Sequence, residues 1–331
     1  MPESFQPNCS LENLKRRSQL QQFLRQWFEQ QQYWEVETPL LSQDTVVDAY
    51  IDPFVVVDQN QTHFLQTSPE FAMKRLLASG ADRIFQLCKA FRKEEVGPWH
   101  NSEFTLLEWY ACQSTAQDQI DFTGKLVVAV DQFLAQQQSR PPRLEQTSIA
   151  QVTYDQAFQN ALQVSALEAT DQQLIEAAKT RSQPVPEILI AGGRDAILNF
   201  LLAEYVEPWL KTFPAVFLTH YPASQAALAR VSEEDPRTAE RFELYLEGLE
   251  IANGYFELLD ASVLQERNRQ QNAQRVSEGF PALPEQSRLL EAMQHGLPEC
   301  SGVAVGFDRL MAWGIGAKSL EEVMPFRWSI A

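Results

Sequence analysis

Two β-rich segments separated by a long loop constrain the fold of this chain most strongly. Residues 84–94 and 103–111 alternate apolar and polar side chains or are rich in β-branched and aromatic residues. The segment 95–102 between them holds a glycine, a proline and an asparagine, which favour a loop. We therefore predict two antiparallel strands joined by a long, functional loop, within an α+β fold whose antiparallel sheet is flanked by helices.

Other segments show the spacing of amphipathic helices or short strands. Apolar residues recur every three to four positions between Leu14 and Gln32, which predicts a helix there. Ser68 and Pro69 predict the start of another helix, with Glu70 in its first turn. Similar patterns predict an extended segment at 34–38, strands at 215–219, 241–258 and 302–306, a helix at 261–276 and a helix that opens at Asp308.

Length and pattern together suggest the domain organisation. The chain has 331 residues, and helical patterns interrupted by prolines dominate residues 115–211. The sequence contains no internal repeat and no low-complexity linker. We therefore predict a single domain over residues 1–331, with a mostly helical insertion at about 115–211.

Charge and cysteine content argue against several classes of function. Lysine and arginine number 27 against 44 aspartates and glutamates, so the formal net charge is −17. A polyphosphate would repel such a chain, which disfavours sequence-independent nucleic-acid binding. The cysteines are far apart in the sequence, so neither a disulfide framework nor a zinc site is indicated. No apolar run approaches the roughly 18 residues that span a bilayer, and we expect a cytoplasmic protein without a membrane partner.

Two glutamates flank a strong turn signal. Asn253-Gly254 is typical of a two-residue β-hairpin, because both residues accept positive φ angles. In that register Glu250 would lie directly across from Glu257. Like charges so placed are destabilising and need a cation, either a metal ion with oxygen ligands or a cationic ligand. The alternative is a solvated pair on an exposed face.

Glu108 is a second unusual acid. In the strand at 103–111 it shares a face with Phe104 and Tyr110, and burial of an unpaired carboxylate is costly. That face therefore either lines a pocket or belongs to an exposed edge strand. Glu70 presents a similar choice, since a carboxylate in the first turn of a helix is also an ordinary partner of the helix dipole.

Three segments together resemble the motifs of class II aminoacyl-tRNA synthetases. Phe91–Glu94, the loop to Asn101 and Glu103–Tyr110 resemble motif 2, and Gly302–Leu310 resembles motif 3. The first predicted helix with Val36–Pro39 resembles motif 1. The three occur in order, which is far more specific than any one of them alone.

Further segments resemble the lysyl-tRNA synthetase branch of that family. Thr67–Glu70 and Gly248–Glu257 carry this likeness, which extends from about residue 12 to 318. Within the branch the chain is most similar to the elongation factor P lysine ligases, which lack the anticodon-reading domain, and few residues precede motif 1 here. Ala304 stands where the synthetases have a glycine, and we infer that its methyl group reshapes the amino-acid recess and favours a β-amino acid.

The resemblance implies a role for each motif residue. The residues it implies to be catalytic are Arg92, Glu250 and Arg309. Those it implies to bind ATP are Arg92, Lys93, Glu94, His100, Asn101, Phe104, Glu250, Ile251, Gly306 and Arg309. Those it implies to form the lysine pocket are Ser68, Pro69, Glu70, Glu108, Tyr110, Glu257 and Ala304. The Mg²⁺ that accompanies ATP would be bound by Glu250 and Glu257, so the acidic pair would receive its cations.

The resemblance also implies an activity. It suggests ATP-dependent activation of lysine, with (R)-β-lysine favoured, as an aminoacyl-adenylate and transfer to the ε-amino group of a lysine on elongation factor P. Motif 1 implies a homodimer. The alternatives are an enzyme that acylates tRNA, which the net charge of −17 disfavours, and a regulatory paralogue without catalysis.

Overall fold

A computed structural model describes residues 5–93, 95–181 and 183–331. These residues form two compact units. Unit 1 comprises the described residues up to Thr115 together with Ala129–Pro141 and Leu258–Ala331, and unit 2 comprises Ala116–Val128 and Pro142–Glu257. The single domain with an inserted helical segment stays a prediction.

Helices and strands occur in separate runs along the chain. The helices are α1 (Leu11–Gln30), α2 (Glu70–Ala78), α3 (Ala116–Gln137), α4 (Tyr154–Leu162), α5 (Asp171–Lys179), α6 (Glu187–Ala191), α7 (Arg194–Leu201), α8 (Glu207–Leu210), α9 (Ala261–Ser277), α10 (Arg288–Gly296) and α11 (Phe307–Ile315). The strands are β1 (Trp34–Glu35), β2 (Leu41–Ser42), β3 (Val55–Asp58), β4 (Gln61–Leu65), β5 (Arg83–Phe91), β6 (Glu103–Cys112), β7 (Ile149–Thr153), β8 (Ala215–Pro222), β9 (Thr238–Leu246), β10 (Leu249–Phe256) and β11 (Cys300–Gly306). This content confirms the predicted α+β class.

The sheet of unit 1 contains the two strands predicted around the loop. Its order is β1–β5–β6–β11, in which β5 and β6 are antiparallel, as are β6 and β11. Glu108 on β6 lies opposite Gln86 on β5 and opposite Ala304 on β11. The exposed-edge interpretation of Glu108 is therefore wrong, because β6 has a neighbour on both sides.

Helix α1 supplies much of the apolar core of unit 1. Its N-cap residue Ser10 accepts a hydrogen bond from the backbone N–H of Asn13 at 3.2 Å. Leu24 and Phe28 on its inner face are fully buried, and the Phe28 ring stacks on Phe85 of β5 with centroids 4.6 Å apart. Each such burial stabilises the fold by roughly 1.5–3 kcal/mol. The apolar residues whose spacing predicted this helix are therefore also the residues that hold it in the core.

The strand after α1 is shorter than predicted. The extended segment expected at 34–38 pairs in parallel with β5 only at Trp34 and Glu35. Val36 still donates to the carbonyl of Phe85 at 2.9 Å. Pro39 has no N–H to continue the pairing. A small antiparallel sheet in the order β2–β4–β3 follows, which the sequence patterns did not predict.

Unit 2 has a second four-stranded group in the order β10–β9–β8–β7. β7 pairs in parallel with β8, and the other pairs are antiparallel. β7 lies inside the segment predicted to be mostly helical and was missed. Helices α4, α5 and α7 pack on this group through a core that includes Phe158, Leu174, Leu198 and Leu218.

The turn between β9 and β10 corrects the predicted hairpin. The chain reverses at Glu247 and Gly248, whose φ angles are 50° and 81°. Asn253 and Gly254 lie within β10 instead, where Gly254 faces Phe242 of β9. A Cβ atom on Gly254 would lie 2.3 Å from the Phe242 ring, so the glycine makes room for an aromatic ring rather than for a turn.

The predicted opposition of Glu250 and Glu257 is therefore wrong. Glu250 lies opposite Tyr245, beside a β-bulge, and Glu257 follows the end of the same strand. The two carboxylates do not face each other across a hairpin. Among the helices formed by the described residues, none is both long enough and apolar enough to cross a bilayer.

Candidate active site

A buried, hydrogen-bonded cluster of Glu108, Ser68 and Tyr110, which we call the carboxylate pocket, lies in unit 1 between β6 and the start of α2. The Ser68 hydroxyl donates to Glu108 Oε2 at 2.9 Å, and the Tyr110 hydroxyl donates to Glu108 Oε1 at 2.7 Å. Only 1% of Glu108 is exposed. The alternation of β6 places Glu108 and Tyr110 on one face, as the sequence predicted. Pro69 occupies the N-cap position of α2 and turns the chain from Ser68 into the helix.

The surroundings of Glu108 raise the pKa of its carboxyl group toward neutral pH. Burial raises its pKa to about 7, and the nearby Glu70 carboxylate raises it as well. The hydrogen bonds from Tyr110 and Ser68 and the charge of Lys74 act in the opposite direction. A cation bound at this carboxylate would favour its ionised form. The pocket therefore has the chemistry to bind an ammonium group.

Glu70 already has a buried ammonium partner within the protein. Lys74 Nζ lies 2.5 Å from Glu70 Oε1. Lys74 is 1% exposed, and its ammonium lies 5.9 Å from the centroid of the Tyr110 ring. The sequence analysis missed Lys74, although its spacing of four residues from Glu70 on a helix is a recognisable signal.

Small residues of β11 lie next to the pocket. Ala304 is directly opposite Glu108, and Gly302 is directly opposite Tyr110. Side chains of directly opposed residues lie on the same face of an antiparallel pair. The methyl group of Ala304 is thus the β11 side chain nearest to the Glu108 position.

A second cluster surrounds the loop between β5 and β6. The Arg92 guanidinium lies 5.1 Å from the centroid of the Phe104 ring, and Arg92 Nη1 lies 3.6 Å from Glu95 Oε1. Arg92 Nε is buried without a hydrogen-bond partner among the described residues. A buried guanidinium N–H with no partner is suited to an anionic ligand. Phe104, predicted to stack on adenine, is in contact with Arg92.

His100 and Arg309 join the loop to α11. Arg309 Nη2 lies 2.6 Å from His100 Nε2, and Arg309 Nε donates to the carbonyl of Trp99 at 3.1 Å. Burial lowers the pKa of His100, and the positive charges of Arg309 and Arg92 lower it further against the opposing effect of Glu95. A neutral His100 can accept the Arg309 hydrogen bond, because arginine only donates.

The other residues of unit 1 that the sequence predicted to bind ATP differ in their burial and in their bonding partners. Asn101 is buried, donates to the Glu103 carbonyl at 2.6 Å and accepts from the Trp328 N–H at 2.9 Å. Lys93 Nζ lies 3.4 Å from Asp52 Oδ2. Gly306 occupies the N-cap position of α11. Glu94 lies outside the described residues.

The predicted residues of unit 2 lie along β10. Glu250 is half-buried beside the bulge, and Ile251 is buried. Glu257 is fully buried, and its carbonyl accepts from Arg230 Nε at 3.3 Å. Within the described ranges, no group of three or more histidine, cysteine, aspartate or glutamate side chains is arranged to hold a metal ion.

Unit 2 also contains a buried polar cluster that the sequence analysis missed. Glu243 accepts hydrogen bonds from the hydroxyls of Tyr221 and Tyr245 at 2.5 and 2.7 Å and from Arg241 Nη2 at 2.6 Å. Burial raises the pKa values of both tyrosines. These residues come from β8 and β9, so only the strand pairing brings them together.

Comparison with known proteins identifies the family. Residues 6–328 match the family described as tRNA synthetases class II (D, K and N). The chain is 42% identical over 330 residues to the elongation factor P–(R)-β-lysine ligase of Salmonella gallinarum (strain 287/91 / NCTC 13346), covering 98% of this chain and 97% of that protein. The ligases of that name from Salmonella schwarzengrund (strain CVM19633) and Salmonella arizonae (strain ATCC BAA-731 / CDC346-86 / RSK2980) are each 41% identical with the same coverage.

These matches agree with the motif order in the sequence and with the α+β structure of the chain. The likeness covers the carboxylate pocket of unit 1, the loop that holds His100 and the β10 strand of unit 2. The chain therefore belongs to the class II tRNA synthetase family and, within it, to the elongation factor P–(R)-β-lysine ligases.

Proposed function

We propose that this protein is an ATP-dependent, AMP-forming ligase that activates lysine, with (R)-β-lysine preferred, and transfers it to a lysine side chain of elongation factor P. Enzymes of its family activate an amino acid with ATP. The observation that carries the proposal is the buried Ser68–Glu108–Tyr110 pocket opposite Ala304, in a chain that matches named ligases over 98% of its length.

The carboxylate pocket supplies recognition of the amino acid. The pKa of Glu108 is about 7, so this carboxyl group would ionise when an ammonium group binds beside it. Ser68 and Tyr110 hold its two oxygens and fix their direction. Glu70 is paired with Lys74, so we propose that its charge adjusts the electrostatic potential at Glu108. Pro69 and Ala304 would limit the volume that is available to the amino acid. We propose that Glu257 also contacts the lysine substrate.

The loop cluster would bind ATP. We assign the α-phosphate to Arg92, whose buried Nε has a free N–H among the described residues. Phe104 and Arg309 offer an aromatic face and a planar cation for adenine, once each exchanges its present contact for the nucleotide. The proposed nucleotide site also includes Lys93, Glu94, His100, Asn101, Ile251 and Gly306.

We propose that Glu250 would hold the Mg²⁺ that accompanies ATP, because its carboxylate oxygens are the hard ligands that Mg²⁺ prefers. Glu257 lies seven residues further along the same extended strand, roughly 20 Å away, so the two carboxylates do not fit one ion and the predicted pair is wrong in this respect. When bound, the ion would neutralise phosphate charge. Glu250 is half-buried at a bulge, which is a backbone feature that often redirects a side chain at a functional site.

The proposed reaction requires that the substrates be held in position, and it requires no nucleophile from the protein. A lysine carboxylate oxygen attacks the α-phosphorus, the bond to pyrophosphate breaks and an aminoacyl-adenylate forms. The unprotonated ε-amine of the acceptor lysine next attacks the acyl carbon. The bond to AMP breaks, and the nitrogen loses one proton as the amide forms. Arg92 would stabilise the charge that develops on the phosphorus centre in the first step.

The partners follow from the proposed reaction. They are elongation factor P, lysine or β-lysine, and a second copy of the chain in a homodimer, in the cytoplasm and without a membrane. The net charge of −17 disfavours tRNA as the acceptor. Acylation of tRNA and a regulatory role without catalysis are the competing functions that an experiment must separate.

ATP–pyrophosphate exchange with α-lysine and (R)-β-lysine tests activation. We expect exchange with both isomers and a higher kcat/KM for (R)-β-lysine, whereas no exchange with either would contradict the proposal. Intact mass analysis of elongation factor P after incubation tests transfer, with lysine tRNA as the competing acceptor. Arg92→Ala should abolish both signals, and the exposed Arg269→Ala is a matched control that should keep them.

A further inference from the structure

The loop between β5 and β6 ends in a tight turn of four residues. Gly97 and His100 exchange two backbone hydrogen bonds of 3.2 Å each, with Pro98 and Trp99 between them. This pattern leaves lone pairs on all the turn carbonyls that can accept from elsewhere in the protein. Under the proposed function, this turn carries His100 and contributes to the ATP site.

The C-terminal part of the chain donates a hydrogen bond to every carbonyl of this turn. Arg327 Nη2 donates to the carbonyls of Gly97 and His100 at 2.6 and 2.9 Å. The backbone N–H of Leu320 donates to the carbonyl of Pro98 at 2.9 Å. Arg309 Nε donates to the carbonyl of Trp99 at 3.1 Å. The turn is thus held from outside at each residue.

Arg327 bridges the two ends of the turn with one nitrogen. Its guanidinium is fixed in turn, because Nη1 lies 2.9 Å from Glu321 Oε1. Its backbone N–H donates to Asn8 Oδ1 at 3.1 Å, and the Asn8 N–H donates to the Pro325 carbonyl at 2.7 Å. A charged donor held in this way forms stronger and better-directed hydrogen bonds than a neutral one.

The residue after Arg327 extends the same contact. The backbone N–H of Trp328 donates to Asn101 Oδ1 at 2.9 Å, and the Trp328 ring lies 5.3 Å from that of Phe54. Asn101 directly follows His100. The C-terminal tail therefore fixes both the turn and the first residue beyond it.

We infer that the tail, and Arg327 in particular, positions the Gly97–His100 turn for ATP binding. This inference rests on the proposed function, because it assumes that the turn contributes to the nucleotide site. Arg327 contacts the turn backbone and is therefore a positioning residue, not a catalytic one. Its loss should weaken ATP binding, because ATP would then have to order a turn that the tail now orders in advance.

Arg327→Ala tests this inference against two tail controls. We expect it to raise the ATP Kd measured by calorimetry and the ATP KM in pyrophosphate exchange about ten-fold, while the lysine KM changes less than about two-fold. Arg327→Lys should recover part of the loss, since it keeps the charge without the planar fork. Ile330→Ala alters an exposed side chain of the same tail and should leave both constants unchanged.

Hydrogen exchange provides a readout that does not depend on activity. The backbone amides of Gly97 and His100 should exchange faster in Arg327→Ala than in wild type or Ile330→Ala. An unchanged ATP Kd in Arg327→Ala, or an equal loss in the ATP and lysine constants, would contradict the positioning role. A wild-type protein that binds ATP but activates no lysine would contradict the proposed function alone.

Discussion

Lys74 Nζ lies 2.5 Å from Glu70 Oε1, and both side chains are buried on α2 beside the Glu108 carboxylate. The protein thus places an ammonium group of its own next to a pocket that we propose for an ammonium ligand. Two neighbouring acids without that cation would repel each other in a low-dielectric site. The internal pair gives Glu70 a cationic partner of its own, while Glu108 remains available for a ligand.

Removal of Lys74 should therefore be strongly destabilising. In Lys74→Met, Glu70 becomes an unpaired buried carboxylate, and we expect the free energy of unfolding to fall by about 3–5 kcal/mol. Urea denaturation measures the change. Lys179→Met removes the partner of Glu176 in an exposed pair, and it should change stability by less than about 0.5 kcal/mol.

A double variant separates the charge effect from packing. Lys74→Met combined with Glu70→Gln removes both charges and should recover most of the lost stability, since a buried pair is often replaceable by uncharged groups. A double variant no more stable than Lys74→Met would show that the lysine stem, and not its charge, is what the pocket needs.

The raised pKa of Glu108 predicts a pH dependence of lysine binding. An ionised carboxylate binds an ammonium group better than a neutral one, and the Glu108 pKa is about 7 in the free protein. The lysine Kd should therefore fall as the pH rises from about 6 to 8. Calorimetric titration of wild type and Glu108→Gln measures this, and a wild-type Kd as flat with pH as that of the variant would contradict the assignment.

The raised pKa of Glu108 also predicts a pH dependence of stability, in which this group favours the folded state at low pH. The folded protein holds the Glu108 proton up to about pH 7, whereas the unfolded chain releases it near the ordinary value of 4.5. The folded state thus binds more protons between these values, so the contribution of this group to stability is present at low pH and is lost as the pH rises. Glu108→Gln should gain stability over wild type progressively between about pH 4.5 and 7 in chemical denaturation, and the difference should then level off.

The sequence predicted those parts of the fold in which local pattern and tertiary contacts agree. The alternation in β5 and β6 gave their antiparallel pairing and the face that Glu108 shares with Tyr110. The apolar spacing of α1 predicted its buried face in the same way. Motif order then linked these elements to a family, which no periodicity could do.

Long-range contacts account for what the sequence did not predict. Asn253-Gly254 is a strong local turn signal, yet the ring of Phe242 across the strand pair decides its conformation. Arg327 reaches Gly97 across 230 residues of sequence, and no local pattern marks that contact. The positions of Glu250 and Glu257 were misjudged for the first of these reasons.

The contact between Gly254 and Phe242 predicts a specific pair of variants. Gly254→Ala places a methyl group where the Phe242 ring lies, and we expect it to lower the free energy of unfolding by about 1–3 kcal/mol. Phe242→Leu in the same chain should restore part of this loss, because the smaller side chain vacates the space. Thermal denaturation of the two single variants and the double variant gives the coupling energy. Additive effects would mean that the ring and the methyl group do not compete.

Ala304→Gly tests the amino-acid selectivity of the pocket. Ala304 lies directly opposite Glu108, so its methyl group is placed to restrict the recess that holds the amino end. Its removal should shift the ratio of kcat/KM for (R)-β-lysine and α-lysine toward α-lysine by about ten-fold, a size typical of a few methyl contacts. Ala150→Gly makes the same change in β7 of unit 2 and should leave the ratio unchanged. An equal ratio in Ala304→Gly and wild type would contradict the role of this methyl group.

Glu250→Gln tests whether the carboxylate at the β10 bulge serves ATP. The amide keeps the size of the side chain but removes the negative charge that a Mg²⁺–ATP complex would need, so we expect pyrophosphate exchange to fall at least about 100-fold. The nearby Glu247→Gln is the matched control, because Glu247 is exposed in the β9–β10 turn and should be dispensable. Raising the Mg²⁺ concentration should recover part of the activity if the lost charge binds the metal ion. Near-normal exchange in Glu250→Gln would move the metal-binding role to other residues, and the bulge beside Tyr245 would then serve only the geometry of the sheet.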